Sequence, residues 1–584
     1  MTEAAATVTQ PGQRSPLVLA IRQATLVFLA AFALGLYLQT NPGPVETEEG
    51  TEWSWQRNHG IPFGDGYYHI KIAYLYRTGD VWEAGKDFHW TRESTWNGQF
   101  SDKDFLYHML LVPFTLGARD ELDAQALLNG AQFSAPFFLG LLAVCLWSAL
   151  RLLGVKRPWF WCLFALAVCG TSFLGRTVEP RSWMPGVSLA LLGWAFLSRG
   201  SRKGVFVVGT LYALAYTGCH LLVAMAGFRL VVGLVIGAPK GSTRKVELVK
   251  DLLLLVSAMG GIALGCLLHP NSIELLKLWW VQNVLVLHLY QHGTLEGTLE
   301  QITGWVMGWQ EGQTAVPIPR QAFGGELHSP RGMQLLEFQT YVIAIPIALP
   351  LLAAVSRVRV TREALIGYGL ALVFVAMNYR VHRFTEYAVP FLVVAAALWL
   401  PAVFVSLRAQ AVIKKTRVGS RFHLPVAATL LVLVGGYHTW QVIGQLGAFP
   451  FSYFPEVGDW LQANDEVRGK VIYNHSWDSF PELFFYRADC DYIAGLDPVY
   501  ASVTATDNAR TYLKLIEGKV GEVASDGPAL VRRIQDDFGA DYIFVHRAPD
   551  ATLLNGLAEA AKAGHLEPLV QRPGYALYRI PKRK

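Results

Sequence analysis

Acids, imidazoles and aromatic rings crowd into residues 59–108, a mix suited to proton transfer and ligand binding rather than to a plain connecting loop. The stretch carries G-D-G-Y-Y-H at 64–69, K-D-F-H-W at 86–90 and S-D-K-D-F-L-Y-H at 101–108. Its acids are Asp65, Asp87, Asp102 and Asp104, and its imidazoles are His59, His69, His89 and His108. A carboxylate in such a setting can take a proton from an acceptor hydroxyl or ligate a divalent cation. Asp65 stands between two glycines, so the backbone can turn freely and the carboxylate can project. The plainer reading of Asp65 is a turn-capping aspartate. Tyr67, Tyr68 and His69 follow it directly, and such aromatics either present a flat ligand surface or anchor the chain at lipid headgroups.

Two more clusters could do chemistry. The first is Glu179-Pro180-Arg181, with Arg176 about one helical turn earlier. Proline and an acid also mark a helix start, but a guanidinium at membrane depth calls for an anionic partner. The second cluster is Arg380, His382, Arg383, Glu386 and Tyr387. Two arginines and a histidine suit a phosphate or pyrophosphate leaving group, because positive charge held where negative charge develops eases departure. Glu386 is placed to orient Arg383 by an ion pair. His269, with His220, Asn271, Gln282, Asn283, His288 and His292, offers further phosphate or acceptor contacts, or simply solvated polar groups. Asn474, His475, Asp478, Glu482 and Asp497 read as strand-end turns or acceptor contacts.

The elements that must position these groups are membrane helices. Of 584 residues, 52% are hydrophobic and only 16% charged, which excludes disorder and indicates a polytopic membrane protein. Apolar runs recur at 17–38, 126–153, 158–175, 183–198, 204–220, 222–237, 251–269, 340–355, 364–378, 387–406 and 424–444. These predict about eleven spans, the first retained rather than cleaved. Lys and Arg follow every even-numbered span, as at Arg151, Arg199, Lys240, Arg357 and Lys414. That bias predicts a cytoplasmic N-terminus and places the C-terminal part outside. The candidate residues then fall in outer loops, chiefly a first loop at 39–125 and a long loop at 270–339. Residues 1–447 thus read as a membrane domain and 448–584 as a soluble α/β domain, with strands at 470–473, 540–546 and 575–580 alternating with helices.

Other classes are disfavoured. No G-x-x-x-x-G-K-[ST] loop occurs, which argues against an ATP-driven pump. The spans carry almost no acids, which argues against a proton-coupled transporter. Six cysteines show neither a disulfide framework nor a zinc spacing.

The many spans, the long first outer loop with an early acid and the outer α/β domain resemble the GT-C superfamily of integral-membrane glycosyltransferases. The resemblance extends to oligosaccharyltransferase catalytic subunits, protein mannosyltransferases and aminoarabinose transferases. It implies a polyprenyl-phosphate or polyprenyl-diphosphate sugar donor and a glycan, lipid or protein acceptor. It also implies Asp65 as base or metal ligand, with Mg²⁺ or Mn²⁺ as the cofactor class, and Glu179 as the second-loop acid. Arg383 would bind donor phosphate, helped by Arg181 and His382. Tyr68, His69, Asp102, Asp104, His108, His269, Glu386 and Tyr387 complete the expected substrate-binding set. Two departures stand out. The second loop has one acid rather than D-x-D or E-x-D, and no W-W-D-x-G motif is present, Trp477-Asp478 being at best a fragment. The expected activity is sugar transfer at the outer face of a bacterial-type inner membrane. The alternatives are a lipid-linked-glycan transporter or polymerase, or a non-catalytic assembly subunit.

Overall fold

Every one of the eleven apolar runs lies on helical backbone. The computed structural model describes residues 16–47, 50–57, 60–62, 64–79, 88–97, 101–238, 241–329, 333–358, 360–409, 423–448, 452–546 and 551–582. His59, Asp87 and the basic loop at 410–422 lie outside these residues.

Helix α1 (Pro16–Thr40) leads into an antiparallel hairpin, β1 (Gly43–Thr47) and β2 (Gly50–Ser54), then α2 (Asp65–Thr78) and α3 (Phe105–Leu111). The bundle continues with α4 (Ala124–Leu152), α5 (Pro158–Val168), α6 (Gly170–Thr177), α7 (Trp183–Arg199), α8 (Arg202–Ala215), α9 (His220–Ile236) and α10 (Arg244–Leu268). Three short helices fill the next stretch, α11 (Ser272–Trp280), α12 (Val286–His292) and α13 (Gly297–Met307). Then come α14 (Met333–Ser356), α15 (Arg362–Arg380), α16 (Thr385–Ala409) and α17 (His423–Ala448). Side-chain oxygens of Asp123, Ser201, Thr243 and Thr361 cap α4, α8, α10 and α15 by accepting otherwise unpaired first-turn N–H groups.

Among the described residues, five helices are long and apolar enough to cross a membrane, or six if α5 and α6 count as one span. The count of eleven is not reached by that measure. The α5–α6 pair bends by 99°, and the 17 and 14 residues of α7 and α8 give lengths of roughly 25 Å and 21 Å at 1.5 Å per residue, short of a hydrocarbon core about 30 Å thick. The bundle also buries an acid that the hydropathy pattern hides. Asp251 on α10 is 2% exposed and paired to Arg229 of α9 at 2.8 Å and Arg362 of α15 at 2.9 Å. Two guanidiniums hold it, so it remains a structural charge.

The C-terminal domain has five strands in the order β4-β3-β5-β7-β6. They are β3 (Val471–Asn474), β4 (Asp491–Tyr492), β5 (Tyr542–His546), β6 (Glu567–Arg572) and β7 (Tyr575–Arg579). Strands β4, β3 and β5 are parallel, whereas β7 and β6 are antiparallel to their neighbours. Strands β3 and β5 are buried along their whole length, as parallel strands covered on both faces are. The domain's helices are α18 (Pro455–Ala463), α19 (Phe480–Tyr486), α20 (Pro498–Ser502), α21 (Asp507–Ile516), α22 (Val520–Val523), α23 (Gly527–Phe538) and α24 (Ala551–Lys562).

Residues 88–97 of the first loop join this sheet. Thr91 bridges Tyr492 in parallel sense. The N–H of Arg92 donates to the Tyr492 carbonyl at 2.9 Å, and the N–H of Tyr492 donates to the Trp90 carbonyl at 2.7 Å. The edge strand β4 is thereby covered.

Candidate functional site

The G-D-G motif serves a geometric purpose at each glycine. Gly64 precedes α2 with φ 89°, a conformation that side chains resist. This turn sets Asp65 at the first helical position, where an acid complements the helix dipole. Gly66 lies against the turn at 179–182. A Cβ there would come within 2.5 Å of both Ile61 Cγ2 and Pro180 Cγ. Its missing side chain lets Glu179-Pro180-Arg181 approach the start of α2.

That approach builds an ionic centre. The Arg181 guanidinium donates through Nη1 to Glu179 Oε2 at 2.9 Å and through Nη2 to Asp65 Oδ2. Glu179 is buried, Asp65 is partly exposed and Arg181 is 16% exposed. Two acids from elements more than a hundred residues apart thus share one planar cation, a geometry that a guanidinium fork suits.

Beneath Asp65 lies a chain of buried rings. His69 is one turn along α2 from Asp65 and shares its face. His69 Nδ1 meets His108 Nε2 at 2.7 Å, and His108 Nδ1 meets Asp102 Oδ2 at 2.6 Å. Tyr76 donates its hydroxyl to the same Asp102 oxygen at 2.7 Å. Burial raises the Asp102 carboxyl, but the His108 charge and hydrogen bonds from His108 and Tyr76 outweigh it and hold the group below its ordinary value. Burial, then the charges of His108, Arg181 and Lys103, push His69 well below its ordinary value, so the ring is neutral. Asp104 is raised, chiefly by burial. Tyr68 packs edge-on against both imidazoles, with ring centroids 5.3 Å from His69 and 5.7 Å from His108.

His269 closes this layer from the end of α10. Its Nδ1 accepts the Asn271 N–H at 3.1 Å, so its Nε2 carries the proton donated to the Asp102 carbonyl at 2.9 Å. The ring therefore pins the 101–104 turn rather than facing a ligand.

The turn at 380–387 arrives through a different pair from the one anticipated. Glu386 is fully buried and bonds Arg176, at the end of α6, at 2.5 Å. The expected Glu386–Arg383 pair gives way to this one because the last turn of α6 points its guanidinium at the start of α16. Arg383 instead donates to the Tyr216 hydroxyl at 3.2 Å. Tyr387 is buried, with its hydroxyl 2.8 Å from that of Tyr212, and belongs to bundle packing. His382 donates its backbone N–H to the His328 carbonyl at 3.1 Å.

The turn that carries Glu179 is thus tied twice, to the turn at 380–387 through Arg176 and to the start of α2 through Arg181. The C-terminal domain supplies Tyr500, which stacks on Trp96 at 4.7 Å and donates to Gln282 at 3.3 Å. Burial, then the charges of Asp497 and Asp104, push the Tyr500 phenol well above the ordinary value. Tyr500 and Tyr76 were not singled out from the sequence, and Arg176 was noted beside Glu179 but not as the partner of Glu386. Tyr76 follows His69 by seven positions, a helical repeat that could have flagged it; nothing local marks Tyr500. Asn474 accepts the Ile493 N–H at 2.9 Å and Asp497 caps α20, both turn-building roles.

No protein-family model matches the chain, and no curated protein matches it by sequence. Solved structures do. The archaeal oligosaccharyltransferase AglB from Archaeoglobus fulgidus, in complex with an inhibitory peptide and a dolichol-phosphate, aligns at TM-score 0.55 and 13% identity, over 90% of this chain and 69% of that one. The same enzyme tethered to an acceptor peptide aligns at TM-score 0.55 and 13% identity, over 96% of this chain and 74% of that one. A looser likeness, TM-score 0.48 at 13% identity over 96% of this chain and 97% of that one, is to ArnT from Cupriavidus metallidurans bound to undecaprenyl phosphate. The chain shares its fold with the archaeal oligosaccharyltransferase, and it is a multi-pass membrane protein.

Proposed function

We propose that this chain is a membrane glycosyltransferase that moves a sugar from a polyprenyl-phosphate or polyprenyl-diphosphate carrier to an acceptor at the outer face of the membrane. The observation that carries this reading is the ionic centre in which Arg181 joins Asp65 and Glu179, with a second cation, Arg383, held at the Tyr216 hydroxyl. A base and an anion-binding cation held together are what glycosyl transfer from a phosphate carrier needs. The dolichol-phosphate held by the archaeal neighbour supports the carrier class.

In the simplest course, an acceptor hydroxyl attacks the sugar's anomeric carbon and its proton passes to Asp65. The bond from that carbon to the phosphate oxygen breaks, and the electron pair leaves with the phosphate. Arg383 faces the charge that develops there, with His382 beside it. Arg181 is committed to Asp65 and Glu179 and so positions the base, a different role from the phosphate contact anticipated for it. Asp102, His108 and His69 form the floor, and Tyr68 adds aromatic surface. The basic bias of the even-numbered loops supports a cytoplasmic N-terminus and an outer C-terminal domain.

The test is transfer by purified protein in detergent, offered a panel of polyprenyl-phosphate sugars. Asp65→Asn is expected to lose roughly a hundredfold or more in kcat with an unchanged melting temperature. Arg383→Ala is expected to lose donor affinity and rate together. If no donor is consumed, or Asp65→Asn matches wild type, the transferase reading fails and the transporter, polymerase or assembly readings replace it.

A further inference from the structure

Two carboxylates brought to one point from distant elements call for a cation between them. A divalent metal and a guanidinium are two groups that can bridge a pair of carboxylates. The Asp65–Glu179 pair has the second. Arg181 lies between the acids, one N–H group turned to each, the Glu179 contact being 2.9 Å. Its place is fixed by sequence: Pro180 is wedged against Gly66, and Arg181 is the next residue.

The neighbouring groups do not supply a metal cage. Mg²⁺ and Mn²⁺ want near-octahedral oxygen or imidazole donors. Asp102 is taken by His108 and Tyr76, and His69 Nδ1 is taken by His108. His269 uses both ring nitrogens on backbone groups. Among the described residues, no set of three His, Cys, Asp or Glu side chains could hold a metal ion. Position 181, where a D-x-D or E-x-D pattern would bring a second acid, carries the opposite charge.

We infer that Arg181 holds the place a divalent cation would take between Asp65 and Glu179, and that the site works without bound metal. The anions accepted by a metal site and by this one differ in consequence. A guanidinium already shared by two carboxylates has little charge left for a phosphate, so the donor's leaving group falls to Arg383. Arg181 is a positioning residue, one that sets the direction of the Asp65 carboxylate. Its meaning for catalysis rests on the transferase reading above, while metal binding can be read without it.

The experiment is a Mn²⁺ titration of the full-length protein in detergent, followed by the electron paramagnetic resonance signal of free Mn²⁺. Wild type is expected to show no saturable binding up to about 1 mM. Arg181→Ala uncovers the two acids and is expected to bind at least tenfold more tightly than wild type. Saturable submillimolar binding by wild type that disappears in Asp65→Asn or Glu179→Gln overturns the inference, and so does transfer activity that a chelator abolishes and Mg²⁺ restores. Activity that stays within twofold in excess chelator supports it. Should no transfer activity be found at all, the titration still decides whether the acids hold a metal.

Discussion

Asp102 is the residue on which the floor of the site depends. It anchors His108, which in turn fixes His69, and it receives Tyr76. Asp102→Asn keeps the shape but turns one acceptor oxygen into a donor, facing either His108 and Tyr76 at Oδ2 or the Asp104 N–H at Oδ1. Leaving one buried partner unsatisfied costs about 1–3 kcal/mol. We expect a matching fall in thermal stability, and a transfer rate that falls further than the substrate KM rises. The pH response has a definite sign. His69 has its folded pKa held below the ordinary 6.5. Its contribution to stability is therefore complete above about pH 6.5 and is lost as pH falls through the folded value. His69→Gln removes that titration. Its melting temperature should fall less steeply than that of wild type between pH 6.5 and pH 5.

At the scale of the element, the start of α2 and the 179–182 turn act as one unit because Gly66 lets them touch. Gly66→Ala forces a methyl group against Pro180 and Ile61. Overpacking of this kind costs about 1–3 kcal/mol, and the turn can relieve it only by backing Arg181 away from Asp65. A tenfold or larger loss of transfer is expected with the protein still folded by circular dichroism. Helix α19 carries a second element-level effect. Its Glu482 is fully buried and raised from 4.5 to about 7, chiefly by burial, against the hydrogen bonds of Ser452 and Tyr453. Such a group stabilises the fold fully below about pH 4.5 and loses about 3 kcal/mol as pH rises through about 7. His475, lowered from 6.5 to about 4 by burial, acts in the opposite sense and loses its contribution as pH falls. Glu482→Gln should gain melting temperature relative to wild type as pH is raised from 5 to 8. A constant difference across that range would show that the carboxyl does not titrate in the fold.

At the scale of the molecule, residues 88–97 and the C-terminal sheet form one structure. Trp90 donates its indole N–H to the Ala488 carbonyl at 2.5 Å, and two backbone hydrogen bonds from Arg92 and Glu93 reach Tyr492 and Ile493. Arg92→Pro removes one of these donors and strains the other. Limited proteolysis should then cut within 88–97 at a higher rate than in wild type, whereas Arg92→Ala, which keeps both backbone donors and loses an exposed ion pair with Asp491 and a long hydrogen bond to the Phe538 carbonyl, should be cut more slowly than Arg92→Pro. Much of this arrangement was legible from sequence alone. Hydropathy located the apolar helical stretches, because burying apolar surface in lipid leaves a long signature, but it did not give the number of spans or the break between α5 and α6. Strands β3, β5 and β7 were legible for a similar reason. Asp65, Glu179 and Arg181 were found by residue type, but their mutual ion pairs were not, since they depend on Pro180 packing over Gly66. The Glu386–Arg383 pairing was misread because sequence proximity favoured it over Arg176, 210 residues away. Strand β4 has two residues and no periodicity to detect.

The bond between Trp90 and Ala488 spans 398 residues of chain. At the roughly 5–20 residues per second of synthesis, the loop is made about 20–80 s before its partner exists. During that interval an aromatic-rich segment, with three of the four rings at 88–96 buried in the finished protein, has no place to go but water, lipid headgroups or a chaperone. The closing of β4 is thus a timed event in the birth of the molecule. A chain truncated before residue 488 should present the same segment to proteases, and should be cleared by the cell faster than its intact membrane helices alone would suggest.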